Sequence, residues 1–245
     1  MHEPLPYSLI FYSHSDYADA WPPMFGQTDK HFDNTYKKYL FVNSGDYDVP
    51  SGWEVIEYDD GLPYQRRVTS CLAQLSSDEV VIFHHEDMFL HGEPNFEVLS
   101  RTQTRIESGR ADFIKLCKAT YTPQEPLFRL EDEFYHCPYT LLFAIQPTMC
   151  KVEKLQVIYE QTPGNSIWEF EANANMTCMK NSFICCLAHL EGEQKIGMFH
   201  WESFTYPYFA TAIVKGKWNT EGYPHKLIET LENYSVDYQA RGQNS

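Results

Sequence analysis

Short apolar blocks recur along the first half of the chain, and between them apolar positions fall at helical spacing. "YSLIFYSH" (7–14) and "KKYLFVNSG" (37–45) read as buried strands, and "WEVIEYDD" (53–60) alternates like a third. Val80 to Phe83 is a fourth, and "ADFIKLCKA" (111–119) a fifth. Residues 18–32 read as helical after their prolines. In 63–78, Val68, Cys71, Leu72 and Leu75 share a helical face, with Pro63 near the start. In 94–109, Gly109 supplies a helix stop. The order strand, helix, strand, strand, helix, strand, helix, strand predicts an α/β fold, with a mostly parallel Rossmann-like sheet flanked by helices.

The second half is less regular. Residues 139–155 read as a strand, a turn and a helix, and 165–181 as the start of another helix. Residues 195–218 are aromatic and strand-rich. Residues 226–240 read as a final helix that frays before "RGQNS". No linker interrupts the chain, so 1–245 is read as one domain, and 43% hydrophobic content suffices for a full core.

Charge narrows the partners. A net charge of −15 repels phosphate backbones, which argues against nucleic acid. A nucleotide ligand would then need a metal or a few placed cations. The seven cysteines are odd in number and contain no CxxC pair, so reduced, mostly buried thiols are expected. No stretch approaches 18 apolar residues, and no basic region precedes the first apolar block. The expectation is no membrane span, no secretion signal and a cytoplasmic protein.

The chemistry concentrates in "VVIFHHEDMFL" (80–90), where a buried strand runs into His84, His85, Glu86 and Asp87. In parallel α/β sheets ligands bind at the carboxyl ends of strands. Adjacent carboxylates there can hold Mn²⁺ or Mg²⁺, which accept oxygen ligands and substrate phosphates, and the histidines favour Mn²⁺. The plainer reading is a solvated loop closing a strand.

This segment resembles the acidic metal motif of GT-A type glycosyltransferases, particularly a group found in bacterial capsule clusters and large DNA viruses. Three further segments match that group in order. "SHSDYADAW" (13–21) resembles its nucleotide-side loop. "FAIQPTMCKVEKL" with "NSIWEFE" (143–171) resembles its acceptor side, and "YPYFATAIVKGKW" (206–218) its later signature. The resemblance implies a nucleotide-binding half at about 7–120, an acceptor-side half at about 121–225, and a helix and tail at 226–245. It also implies a nucleotide-sugar donor, a glycan or glycoconjugate acceptor, and an inverting, metal-dependent transfer. Asp87 falls on the last acid of the motif and His85 on its first position, with Glu86 between them on the donor side. The histidines depart from the group's usual acidic or apolar residues.

The remaining candidates each carry a structural alternative. Glu171, beside Trp168 and Phe170, is a candidate general base whose pKa burial would raise. Glu169 is a second, although Ser166 three residues earlier makes it a capping-box residue. Asp16 and Asp19, in the loop after the first strand with Ser13, would hold the nucleotide's ribose or base, with Tyr12 or Tyr17 stacking, and both acids equally suit a cap or turn. Arg66 and Arg67 are candidates for uracil or phosphates, Arg66 being carried as the binding residue. Lys215 and Lys217 flank Gly216 and are candidate diphosphate partners. His200 is a candidate late metal ligand or a core residue. The aromatic set Trp168, Trp201, Tyr206, Tyr208 and Trp218 could stack on sugars or fill the core.

No G-x-S-x-G elbow, P-loop or G-x-G-x-x-G is present, and "HHED" is not H-E-x-x-H. The favoured function is a glycosyltransferase using a UDP-sugar. The alternatives are a nucleotidyltransferase or phosphohydrolase built on the same acidic cluster, and a non-catalytic carbohydrate-binding protein.

Overall fold

The computed structural model describes residues 7–120, 125–164, 166–196 and 200–243. The predicted first-half elements form in order: β1 (Ser8–Tyr12), α1 (Trp21–His31), β2 (Lys38–Asn43), β3 (Trp53–Tyr58), α2 (Tyr64–Leu72), β4 (Val80–His85), α3 (Phe96–Glu107) and β5 (Phe113–Lys115). A short 3-10 turn, Ser15–Ala20, precedes α1. α1 takes Pro22 and Pro23 into its first turn, where a missing N–H breaks no helical bond. Asn95 caps α3 by accepting the Val98 N–H at 3.2 Å, and Gly109 follows the helix at φ +70°.

The strands join one nine-stranded sheet in the order β3-β2-β1-β4-β8-β5-β9-β7-β6. Its members from the second half are β6 (Arg129–Glu131), β7 (Phe134–His136), β8 (Thr148–Lys151) and β9 (Cys185–Ala188). β3, β2, β1 and β4 are mutually parallel, whereas β8 runs against both β4 and β5. The fold class is therefore the α/β class expected, with a parallel half that carries the site and a mixed half beside it. β1 and β4 are buried along their whole length, as near-continuous apolar strands covered on both faces must be.

Three expectations for the second half need correction. The strand read within 139–155 comes late, at β8, and leads directly into α4 (Val152–Gln161); residues 139–146 are irregular. The β6–β7 hairpin was not anticipated. The final helix divides into α6 (Lys226–Asn233) and α7 (Tyr238–Arg241), and the described residues after it, Gly242 and Gln243, are paired rather than frayed. Trp218 N–H donates to the Gly242 carbonyl at 3.0 Å, and Gln243 bridges to Trp218. α5 (Ile167–Lys180) forms as expected, with Ser166 accepting the Glu169 N–H at 3.2 Å. The short pairs β10 (Lys195–Ile196) with β11 (His200–Trp201), and β12 (Ile213–Val214) with β13 (Lys217–Trp218), fill the strand-rich region. All seven cysteines are free and buried.

Candidate functional site

β4 runs one turn further than its apolar run, because β1 continues beside it. Phe11 pairs with His84 and Tyr12 with His85. Successive side chains on a strand face opposite sides, so the two histidines part company. His84 enters the core. It stacks on Phe11 at 4.4 Å, and its ring nitrogens meet the Ile10 carbonyl at 3.2 Å and the Tyr206 hydroxyl at 2.7 Å. Burial lowers its pKa to about 3, so it is a neutral core imidazole whose ring nitrogens are both partnered, which corrects its reading as part of the metal-capable cluster. His85 faces the other way. Its Nε2 lies 2.9 Å from the Tyr64 hydroxyl, which in turn lies 3.0 Å from the Tyr159 hydroxyl. Burial lowers its pKa to about 4.

Beyond His85 the chain turns sharply. Met88 N–H closes the turn on the His85 carbonyl at 3.0 Å, leaving Glu86 and Asp87 at the apex. Glu86 N–H bonds the Tyr12 carbonyl at 3.2 Å, and the Asp87 carbonyl accepts Ala212 N–H at 2.9 Å. The apolar Met88, Phe89 and Leu90 follow at once because they are buried against residues 207–212. Phe209 N–H reaches the Phe89 carbonyl at 3.0 Å, and Leu90 bridges Tyr208. The acidic turn is thus fastened to β1 on one side and to the 207–213 segment on the other.

Glu86 of this turn, with His85 before it, lines a cavity of about 540 Å³ at the carboxyl ends of β1 and β4, and Asp87 sits next to the lining rather than in it. Tyr12, His14, Asp16 and Tyr17 supply one wall, and Tyr64, Gln65 and Arg67 from α2 another. Gly164, Ser166 and Ile167, at the start of α5, supply a third. Two helices therefore begin at its edge, and helix N-termini favour anions. Gly164 has to be glycine: a Cβ there would sit 2.6 Å from the Phe170 backbone nitrogen. The Gly164 carbonyl also accepts Gln65 Nε2 at 2.6 Å, drawing α2 and α5 together.

Burial and the neighbouring Asp87 charge hold Glu86 well above the usual carboxylate range. Asp87 keeps part of its surface open to solvent, yet its packing pushes its pKa up to about 7, against the Ile213 N–H at 3.4 Å. Two adjacent carboxylates that resist ionising together are relieved by a bound cation. Among the described residues no three His, Cys, Asp or Glu side chains gather into a metal-holding group.

The other predicted residues divide. Asp16, Tyr17, Glu86 and His85 line the cavity. Ser13 is buried behind it, its Oγ accepting Trp21 Nε1 at 2.8 Å. Arg66 is exposed and outside the lining, and its neighbour Arg67 takes the place. Arg67 is held by the Leu62 carbonyl at 2.7 Å, the Asp60 carbonyl at 2.5 Å and the Asp60 carboxylate at 2.8 Å. Tyr64, Arg67, Val68 and Cys71 share a helical face, a spacing that sets Arg67 apart from Arg66. Lys215 and Lys217 are exposed on the β12–β13 hairpin and do not line the cavity. Lys215 and Gly216 form its tip at φ +50° and +75°, the tight turn for which glycine is suited. The His200 side chain lies outside the described structure.

Glu169 is exposed in the first turn of α5, where Ser166 caps its N–H. Glu171 is half-buried one turn beyond Ile167. Its Oε1 accepts the Ile145 N–H at 2.7 Å, which ties α5 to the irregular 139–146 segment. Burial raises its pKa, opposed by that N–H and by the Lys115 ammonium. Phe170 fixes the helix by stacking on Tyr159 at 4.7 Å and meeting Tyr64 edge-on at 5.9 Å. An aromatic chain, Phe170–Tyr159–Tyr64, therefore connects α5 to His85.

One functional candidate had no signal in the sequence pattern. Arg241, on α7, reaches back across the fold to grip both carboxylate oxygens of Asp19. One of these contacts, from Nε to Oδ2, measures 2.6 Å. It also donates to the Asp16 carbonyl at 2.8 Å and lies 4.9 Å from the Tyr17 ring centroid.

No protein-family model and no curated protein sequence matches the chain. Solved structures do resemble it. UDP-glucose pyrophosphorylase complexed with UDP-glucose aligns at 8% identity over 94% of this chain and 99% of that one, with a TM-score of 0.50. S. aureus TarS 1–349 in complex with UDP-GlcNAc aligns at 12% identity over 95% and 67%, with a TM-score of 0.47. Galactosyltransferase LgtC, with donor and acceptor sugar analogs, aligns at 10% identity over 66% and 68%, with a TM-score of 0.40. At such identity the likeness concerns the fold: a mixed α/β core with a large central sheet between helices. No described helix is long and apolar enough to cross a membrane.

Proposed function

We propose that this chain is a glycosyltransferase that moves a sugar from a nucleotide-diphosphate donor, a UDP-sugar, to a glycan hydroxyl with inversion. The observation that carries the reading is the Glu86–Asp87 turn beside a 540 Å³ cavity at whose edge two helices begin. That arrangement suits a ligand with an aromatic base at one end and a diphosphate at the other. Tyr12 and Tyr17 offer flat surfaces for the base, and the α2 and α5 N-termini favour the diphosphate's charge.

The donor set fits Mg²⁺ or Mn²⁺. Glu86 and Asp87 supply oxygens, and these cations are commonly held by one or two carboxylates together with substrate phosphates. His85 has Nε2 committed to Tyr64, which leaves Nδ1 for any other partner. A bound cation would neutralise charge on the departing diphosphate. The chain's own residues then orient the donor, exclude water and take a proton. Glu171, just outside the cavity lining, is assigned the last role: burial raises its pKa, which makes it a readier proton acceptor than an ordinary carboxylate, and the Ile145 N–H fixes one of its oxygens.

Calorimetric titration with UDP and GDP, with and without Mn²⁺, tests the proposal. Metal-dependent diphosphate binding is expected in the native protein and lost in Asp87→Ala, with circular dichroism unchanged. An Asp87→Ala protein that binds UDP and Mn²⁺ as tightly as the native one would remove Asp87 from the site. Binding confined to nucleoside triphosphates would transfer the assignment to a nucleotidyltransferase. Release of UDP from UDP-sugars, stimulated by a glycan, would complete the assignment.

A further inference from the structure

Two arginines near the cavity are each held by one carboxylate and two backbone carbonyls. Arg67 is fastened to the Leu62 and Asp60 carbonyls and to the Asp60 carboxylate. Arg241 has its main grip on a side chain, Asp19, whose surface is 36% accessible. Its other bonds go to the Gly216 carbonyl at 3.4 Å and to the carbonyl of Asp16, a residue that lines the cavity, at 2.8 Å. The guanidinium lies against Tyr17, which lines the cavity, and its charge acts on Glu86. A carboxylate and a phosphate present the same pair of oxygens to a guanidinium fork.

We propose that Arg241 binds the donor's diphosphate, and that Asp19 is a built-in competitor holding the guanidinium until the donor arrives. This rests on the donor reading above and adds to it a residue and a regulatory contact. In a chain of net charge −15, an unpaired arginine beside the Glu86–Asp87 turn would be drawn onto those carboxylates and would oppose a cation there. Asp19 prevents this by occupying the Arg241 fork with both of its carboxylate oxygens. A diphosphate, carrying more charge than one carboxylate, displaces Asp19 from the fork. The swap also links the 3-10 turn, the β12–β13 hairpin and α7, all of which Arg241 touches, to the presence of donor.

The test is a double-mutant cycle on nucleotide affinity, measured by calorimetry with UMP and UDP in Mn²⁺. Thermal melts confirm folding of each variant. Arg241→Gln should weaken UDP by about 10- to 100-fold, the worth of charge-assisted bonds, with UMP affinity changed much less. Asp19→Asn should tighten UDP by about 2- to 10-fold, and this gain should vanish in the Arg241→Gln background. Asp16→Asn removes an equal charge while keeping the carbonyl that Arg241 holds, so any gain it gives should survive in that background. Equal weakening of UMP and UDP by Arg241→Gln would make Arg241 a structural strap and overturn the proposal. So would an Asp19→Asn gain that persists without Arg241. A native protein that binds neither nucleotide would overturn the donor reading itself, and this inference with it.

Discussion

Tyr64 bridges two partners, and removing one oxygen from it should have a sign-changing consequence. Its hydroxyl lies 2.9 Å from His85 Nε2 and 3.0 Å from the Tyr159 hydroxyl, and Tyr159 is buried with its ring stacked on Phe170. Tyr64→Phe keeps the ring contacts but breaks both bonds and leaves two partners without one another. Each bond contributes about 0.5–1.5 kcal/mol, and an orphaned buried group costs about 1–3 kcal/mol, so a loss of roughly 2–4 kcal/mol is expected. Tyr159→Phe breaks one bond and leaves Tyr64 still paired with His85, so it should cost about 1 kcal/mol. In the Tyr64→Phe background, however, Tyr159→Phe removes an orphaned hydroxyl and should be neutral or stabilising. Urea denaturation of the four proteins, read by tyrosine and tryptophan fluorescence, measures the cycle. Additive losses would refute the bridge, and with it the claim that α5 and His85 are mechanically joined.

Glu171→Gln should lower turnover by about 10²- to 10⁴-fold with UDP affinity little changed, whereas Glu169→Gln should leave turnover nearly intact; the reverse pattern would show the two roles exchanged. Burial and the nearby Lys226 ammonium, 3.1 Å away, lower the pKa of His91 to about 4. The unfolded chain takes up that proton near pH 6.5, so stability falls as pH drops from about 6.5 towards 4. His91→Asn should flatten the urea-derived slope by up to about 2 kcal/mol between pH 7.5 and 5.0, and an unchanged slope would contradict the shift. Gly164→Ala places a Cβ against the Phe170 backbone and should cost about 1–3 kcal/mol in the same assay, since backbone cannot give way as a side chain can.

The first half of the fold was legible because its elements are local: apolar runs make the strands, helical spacing makes the helices, and a parallel sheet follows. The acidic turn was legible for the same reason, since polar residues at a strand's end stand out against the run before them. What was not legible depends on partners far along the chain. His84 and His85 look alike in sequence, and only the length of β1 beside β4 decides that the strand continues through both and sends them to opposite faces. Their tolerability then comes from Tyr206 for one and Tyr64 for the other. Glu171 was picked for its aromatic neighbours, but its fixed oxygen belongs to Ile145, on the irregular segment ahead of the late strand β8. Lys215 and Lys217 were drawn by the glycine between them, yet that glycine serves a hairpin tip exposed to solvent. Arg241 is the extreme case. Its partner Asp19 lies 222 positions away, and no periodicity near "QARGQ" marks it. A charge that must be kept from nearby carboxylates needs a partner of its own. In a chain this acidic, each arginine's position therefore says more about the site than the lysines that advertise themselves beside a glycine.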